Sequence, residues 1–203
     1  MTDPIDLLLF GLPAARGYHL AEWVQDDEPF ARWIDVGDVA HMRWLCGSQA
    51  AKRGDLTLTA VPYSDRGSRL MQADGSALWV RTESGKSAQL LARFKPRPTL
   101  VLQEGSTNRM TAFWMLNGAL KPEDIERANR RLSYALHTKA GDCEPTFRFH
   151  PPGVILRQGR SRPVVVHVVE QTDELHPLSL TRRLKDRPKP DPSKWGGRAP
   201  VPA

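Results

Sequence analysis

Residues 99–116, TLVLQEGSTNRMTAFWML, carry the pattern on which the fold depends. Two apolar runs, 99–104 and 110–116, flank the short polar stretch GSTNR, whose glycine, serine and asparagine favour a turn. The segment therefore predicts a strand, a turn and a second strand. A small, donor-rich turn of this kind either holds a phosphate group or is an ordinary hairpin turn. The residues of the segment alone leave both interpretations open.

The flanking sequence predicts further elements around this hairpin. A strand is predicted over 77–81 (ALWVR), and a helix over 84–94 with Ser84 as its N-cap. Residues 121–137, KPEDIERANRRLSYALH, predict the clearest helix, because Pro122 suits the first turn and acidic residues follow it. Its buried stripe is predicted to consist of Ile125, Ala128, Leu132 and Leu136.

The order of these elements predicts the fold class. With a last strand over 163–169 (PVVVHVV), the order from residue 77 is βαββαβ. This order predicts an α+β protein with a ferredoxin/RRM-like antiparallel sheet of four strands and two helices on one face. The alternation in 56–62 adds an extra strand. Apolar residues at three- and four-residue steps predict N-terminal helices over 19–34 and 38–55.

Composition and charge divide the chain into three parts. We expect residues 1–55 to form a helical N-terminal extension packed on a core that spans 56–180. Residues 181–203 contain seven Lys/Arg, two Asp and five prolines, a local balance of +5, whereas the whole chain has a net charge of +6. This end is therefore predicted to be a basic, Pro-rich flexible tail, which either contacts phosphate backbones or a partner or only increases solubility.

Several function classes are excluded or disfavoured by the sequence. No apolar run is long enough to cross a bilayer, and the amino end lacks the basic start of a signal peptide. The two cysteines have no CxxC spacing, which favours the cytoplasm and excludes a zinc knuckle. The motifs of P-loop, dinucleotide-binding, serine-hydrolase and HExxH metal sites are absent.

Acidic residues two apart on a strand are the usual ligands of the divalent ions in nucleotidyl transfer. Here the predicted strand ends in Arg81-Thr82-Glu83, where the first position is a cation that can simply pair with Glu83. Asp142 and Glu144 are the next candidates, although charged loop residues are more often only solvated surface.

In this order, the segments resemble the archaeo-eukaryotic primase superfamily in its RepB-like and bifunctional primase-polymerase form. The resemblance covers roughly residues 55–170. ALWVRTE is similar to the family strand that ends in D-x-D, and KPRPTLVLQEGSTNRMTAFWML is similar to the segment with S-G-x-G-x-H. GDCEPTFRFHPPGVILR is similar to the last family motif, G-x-D…R-x-P-G-T-x-N.

The resemblance implies roles for individual residues and also shows departures from the family. Arg81 replaces the first aspartate, Glu83 the second, and Asp142 matches the third acidic position. Thr111 stands where the family has its nucleotide-binding histidine. His150 stands at the arginine position unless Arg148 serves in a shifted register. The nucleotide- or nucleic-acid-binding residues that the resemblance and the charge pattern suggest are Ser106, Asn108, Arg109, Thr111, Arg148, His150, Arg157, Arg160 and Arg162.

These departures predict a primase-like pseudoenzyme of a phage, plasmid or mobile element that acts in DNA replication. Its expected partners are single-stranded or duplex DNA, or a replication protein such as a helicase, although the arginines are equally compatible with ordinary solvated surface. The first alternative is an active nucleotidyltransferase in which Glu83 and Asp142 hold one Mg²⁺ or Mn²⁺ ion. The second is an inhibitor or adaptor that binds protein and no nucleic acid.

Overall fold

The computed structural model describes residues 17–25, 28–47, 55–67, 72–139, 142–156 and 163–185. Nine strands and four helices occur within these residues. In chain order they are β1 (Tyr18–Gln25), β2 (Glu28–Asp35), α1 (Val39–Gly47), β3 (Thr57–Thr59), β4 (Gly75–Thr82), α2 (Gly85–Arg93), β5 (Leu100–Glu104), β6 (Met110–Leu120), α3 (Pro122–Ala135), β7 (Arg148–Phe149), β8 (Ile155–Leu156), β9 (Val164–Gln171) and α4 (Leu180–Arg183).

The hairpin predicted from residues 99–116 forms the centre of the larger sheet, whose order is β4-β6-β5-β9-β8 with every pair antiparallel. In the register, Phe113 of β6 lies between Trp79 of β4 and Leu100 of β5. Trp79 and Trp114 are both fully buried, and the indole Nε1 of Trp114 donates to the Pro96 carbonyl oxygen at 3.0 Å. The sheet has five strands, not the predicted four, because β8 pairs with β9 at one edge.

Both predicted helices of this core are confirmed. The Ser84 hydroxyl caps α2 by accepting from the Ser87 amide at 3.2 Å. The predicted stripe of α3, which includes Ile125 and Leu132, is buried. Its Asn129 side chain accepts a hydrogen bond from the Trp79 amide at 2.9 Å, so α3 packs against β4 and satisfies a backbone donor on this edge strand.

A second antiparallel sheet, ordered β2-β1-β3-β7, contains the predicted extra strand as β3. The helix predicted over 19–34 is wrong, because β1 and β2 form a hairpin there. Pro29 explains the difference, since proline breaks a helix interior but is tolerated in an edge strand such as β2. The helix predicted over 38–55 is present as α1. Residues 48–54 lie outside the described residues.

The two sheets meet through the segment 147–149. Phe147 stacks on Trp79 with ring centroids 5.5 Å apart, and Phe149 packs edge-on against Phe113 at 4.9 Å. Because Trp79 and Phe113 share one face of the larger sheet, that face is turned toward the smaller sheet. The architecture is thus α+β, with two antiparallel sheets and four helices in the described part of the chain. None of these helices is long and apolar enough to span a membrane.

Candidate functional site

The candidate site lies where the larger sheet meets the smaller one, at the end of β4 and the start of β6. Arg81 is directly opposite Thr111 in the register, two residues beyond the pair Trp79 and Phe113. Because side chains alternate along a strand, Arg81 and Thr111 project toward the smaller sheet together with these aromatic rings. The structure therefore brings together two of the positions at which the sequence departs from the primase motifs.

Arg81 is held by three groups. Its guanidinium lies over the Phe147 ring, with the central carbon 4.7 Å from the ring centroid. One nitrogen, Nη2, donates to the Arg148 carbonyl oxygen at 3.0 Å, and Nη1 lies 3.9 Å from a carboxylate oxygen of Asp142. The Nε atom is buried without a hydrogen-bond partner among the described residues. A cation is therefore fixed at the end of β4, beside the carboxylate of Asp142.

Glu83 is paired with cations other than Arg81. The Nζ atom of Lys139 lies 2.5 Å from Oε2 of Glu83, and an Nη of Arg109 lies 4.0 Å from Oε1. The hydrogen bond from Lys139 lowers the pKa of Glu83, and the charges of Lys139, Arg109 and Arg81 act in the same direction. Glu83 is thus an ionised carboxylate whose charge is balanced by Lys139 and Arg109. Arg81 pairs with Asp142, so the expected direct pair of Arg81 with Glu83 is not formed.

The turn at 105–109 stands beside Glu83. Gly105 has a φ of +61°, and a Cβ at this position would lie 2.7 Å from a Val164 methyl carbon. The Thr82 hydroxyl donates to the Asn108 carbonyl oxygen at 2.8 Å, which ties the turn to the end of β4. The side chains of Ser106 and Asn108 are exposed.

Arg109 projects from this turn with half of its side chain exposed, and it lies 3.7 Å from a carboxylate oxygen of Glu104 as well as near Glu83. The turn therefore forms part of an ordinary β5–β6 hairpin and also presents a cation at the site.

The smaller sheet contributes Arg148 and His150. An Nη of Arg148 lies 2.6 Å from Oε2 of Glu22, so its charge is balanced across the sheet. Nδ1 of His150 lies 3.0 Å from the Leu56 carbonyl oxygen, to which the neutral ring donates. Burial lowers the pKa of His150 although the hydrogen bond to Leu56 acts in the opposite direction. His150 is therefore neutral at physiological pH.

Asp142 completes the arrangement from the loop after α3. Its carbonyl oxygen accepts from the Trp79 indole at 2.8 Å, which places its carboxylate beside Arg81. The site as a whole contains as many cations as acids: Arg81, Arg109, Lys139 and Arg148 face Glu22, Glu83, Glu104 and Asp142. Across the described ranges, no three His, Cys, Asp or Glu side chains are placed to hold a metal ion.

Sequence reasoning missed three members of this network. Lys139, Glu22 and Glu104 carry no motif, and Glu22 belongs to a segment that was expected to be helical. Lys139 and Glu22 are far in sequence from their partners Glu83 and Arg148, so charge alone gives no signal for them, whereas Glu104 faces Arg109 across the turn of the predicted hairpin. The predicted contacts Arg157, Arg160 and Arg162 lie outside the described residues.

The chain was compared with known proteins. No protein-family model matches it, and no curated protein matches it significantly. Among solved structures, the AEP domain of the primase-polymerase (PrimPol) of cyanophage S-2L is similar, with a TM-score of 0.64 and 14% identity over 90% of this chain and 96% of that one. Primase RepB′ gives a TM-score of 0.62 and 13% identity over 89% of this chain, but 60% of that chain.

A third structure, the catalytic domain of primase RepB′ in complex with initiator DNA, gives a TM-score of 0.59 and 12% identity over 90% of this chain and 94% of that one. Identities this low establish likeness of fold and not of activity. The protein therefore has the fold of the primase-polymerase AEP domain, as the order of its sequence motifs predicted.

Proposed function

We propose that the protein is a catalytically degenerate, primase-polymerase-like protein of a phage, plasmid or other mobile element. It acts in the cytoplasm in DNA replication by binding nucleic acid or a replication protein. The observation that carries this proposal is the position of Arg81, whose guanidinium stands between Phe147, Asp142 and the Arg148 backbone on the strand where a metal-dependent site needs carboxylates.

Electrostatics support the loss of catalysis. Phosphoryl and nucleotidyl transfer depend on divalent ions that neutralise charge on the phosphates. A divalent cation 4 Å from a guanidinium is repelled by roughly 8 kcal/mol at an effective dielectric constant of about 20. Glu83 and Asp142 attract such an ion, but Lys139 and Arg81 already neutralise them. Because the cations and acids of the network are equal in number, it provides little net attraction for Mg²⁺ or Mn²⁺.

The nucleic-acid part of the proposal rests on Arg109 and its surroundings. Its guanidinium is half exposed and loosely paired, at 3.7 Å and 4.0 Å from two carboxylates, so a phosphate can compete for it. Ser106 and Asn108 add exposed polar groups on the same turn. Arg148 is a weaker candidate because Glu22 binds it closely. The basic residues 157, 160, 162 and 181–203 supply further positive charge, and one structural neighbour was solved with DNA.

The catalytic half of the proposal is tested by labelled nucleotide incorporation. The full chain is assayed on primed and unprimed templates with Mg²⁺ and with Mn²⁺, alongside Glu83→Ala. We expect no incorporation above the level of the variant. Incorporation by the parent that Glu83→Ala abolishes would establish the active nucleotidyltransferase that uses Glu83 and Asp142.

The binding half is tested by titrating single-stranded and duplex DNA at rising salt concentrations. Arg109→Glu is compared with Arg97→Glu. Arg97 is likewise exposed, and it pairs with Glu170 at the opposite end of β5. We expect binding that weakens with salt, and a loss of affinity for Arg109→Glu that Arg97→Glu does not share. Binding that is absent, or insensitive to salt, leaves the protein-binding alternative.

A further inference from the structure

An apolar groove that shares no residue with the charged network lies between the ends of α2 and α3 and the segment 174–185. Its volume is about 740 Å³, which is in the range of sites that hold a small ligand or a few peptide side chains. Its apolar lining includes Phe94, Pro96, Tyr134, Leu180 and Leu184. Tyr134 is 44% exposed although it stands on the wall of this groove, so apolar surface remains available to a partner.

The rim of the groove is positively charged. Lys95, Arg183 and Lys185 line it and are exposed, whereas Glu174 is the one acidic residue among the lining residues. Across the described parts of the chain, none of the three cations takes part in an ion pair. An occupant with negative charge beside its apolar groups therefore fits the groove electrostatically.

His176 gives the groove a buried polar group. Its backbone is fixed by hydrogen bonds with Met115 and Asn117, at 2.7 and 2.9 Å, and its side chain is 1% exposed. A hydrogen bond links the ring to the Arg97 backbone, while burial lowers the pKa of the ring and keeps it neutral. Nε2 has no hydrogen-bond partner among the described residues. Because this atom is buried, the His176 ring is a fixed part of the groove wall and not a contact for a partner.

The chain's own C-terminal segment does not match this chemistry. Residues 186–203 contain four Lys/Arg and two Asp, so their charge has the same sign as the rim. A single-stranded nucleic acid matches the charge, but the ring of Phe94 already packs edge-on against Trp114 at 5.6 Å, and aliphatic side chains cover much of the remaining wall. A peptide uses aliphatic walls better than a nucleobase, which needs free aromatic faces.

We propose that this groove is a docking site for an acidic peptide segment of a partner protein. Apolar side chains of the peptide occupy the space between Phe94, Leu180 and Leu184, and its carboxylates face Lys95 and Arg183. The proposal concerns a surface separate from Arg81 and Arg109, so it stands or fails independently of the nucleic-acid function.

The test measures fluorescence anisotropy of a labelled peptide of alternating glutamate and leucine, added to the full chain. The double variant Lys95→Glu with Arg183→Glu is expected to weaken binding by at least about tenfold, since each reversal replaces an attraction with a repulsion. The matched control is Arg32→Glu with Lys86→Glu, which changes the net charge equally at exposed positions outside the groove. We expect this control to bind as the parent does.

A second variant blocks the groove without removing charge. Ala135 is exposed at the end of α3 and lines the groove, so Ala135→Trp fills it while leaving the core intact. We expect this variant to lose binding and to keep the parent's melting temperature within a few degrees.

Equal binding by the groove variants and the parent would overturn the proposal, as would equal binding of a lysine–leucine peptide. Displacement of the peptide by single-stranded DNA from both the parent and the Arg32→Glu with Lys86→Glu control, in which the groove is intact, would also contradict it. Dissociation of a dimer by Ala135→Trp in light scattering would show that a second copy of the chain occupies the groove instead.

Discussion

The guanidinium of Arg81 lies 4.7 Å from the centre of the Phe147 ring, and the same ring stacks on Trp79 with centroids 5.5 Å apart. Arg81 therefore belongs to the junction between the two sheets as well as to the charged network. A cation over an aromatic ring contributes on the order of 0.5–2 kcal/mol. The Arg81 side chain therefore supports the packing of the two sheets.

Replacing Arg81 with alanine is predicted to lower the free energy of unfolding by about 1–3 kcal/mol, because the ring contact, the hydrogen bond to the Arg148 carbonyl and the packed side-chain stem are lost together. Arg81→Lys keeps the charge but not the planar group, so we expect it to recover only part of the loss. Urea denaturation measures both variants. An Arg81→Ala midpoint equal to that of the parent would show that the contact contributes nothing to stability.

Replacing Arg81 with aspartate is predicted to create affinity for Mn²⁺ that the parent lacks. The change removes the repelling cation and places a third carboxylate near Glu83 and Asp142. Electron paramagnetic resonance of added Mn²⁺ measures the bound fraction, with Arg97→Asp as a control for net charge. Binding by the parent that Glu83→Ala removes would contradict the prediction and favour the active enzyme.

Most of the larger sheet and its two helices could be predicted from the sequence, because strands β4 to β6 and helices α2 and α3 have clear periodicity and end signals. The hairpin at 18–35 could not be predicted from apolar spacing alone. Its apolar residues fit helical steps, and the decisive signal was the single residue Pro29.

The candidate site was predicted only in part. The order of the sequence motifs identifies four of its residues, which the structure places close together: Arg81, Glu83, Arg109 and Thr111. The ion-pair partners of these residues could not be predicted. Lys139 pairs with Glu83 from beyond the end of α3, and Glu22 pairs with Arg148 from another strand. Such pairs depend on which distant segments the tertiary fold brings together, and local sequence does not record that geometry.

Lys139→Met is predicted to raise the pKa of Glu83 toward its ordinary value, because the hydrogen bond from Lys139 is the largest cause of the lowered pKa. NMR titration of the Glu83 side-chain carboxyl carbon measures the change. Lys86→Met serves as a control, since Lys86 is exposed and has no contact with Glu83 among the described ion pairs. An unchanged titration of Glu83 in Lys139→Met would show that Arg109 and Arg81 alone set its pKa.

Asn129→Leu is predicted to lower the free energy of unfolding by about 2–4 kcal/mol, because two buried backbone groups lose their partners. The Asn129 side chain accepts from the Trp79 amide and donates to the Cys143 carbonyl oxygen, and it is fully buried. Asn117→Leu is the matched control, since Asn117 is exposed on β6 and the same substitution there should change stability by less than about 0.5 kcal/mol. Equal effects of the two substitutions would show that the bridging role of Asn129 is not what stabilises the edge of β4.

Protonation of His19 is predicted to destabilise the protein as the pH falls from about 6.5 to 4. Burial lowers its pKa to about 4, although Nδ1 donates to the Thr59 carbonyl oxygen at 3.0 Å. Between these pH values the unfolded chain binds the proton and the folded chain does not, so stability is complete above pH 6.5 and decreases by roughly 3 kcal/mol toward pH 4. Urea denaturation at several pH values measures this decrease, and His19→Gln should flatten the profile of stability against pH by that amount.

His150 and His176 also have lowered pKa values, so the variant should keep a residual slope. Parallel profiles for the parent and His19→Gln would show that the His19 ring is already protonated in the folded state or reaches solvent.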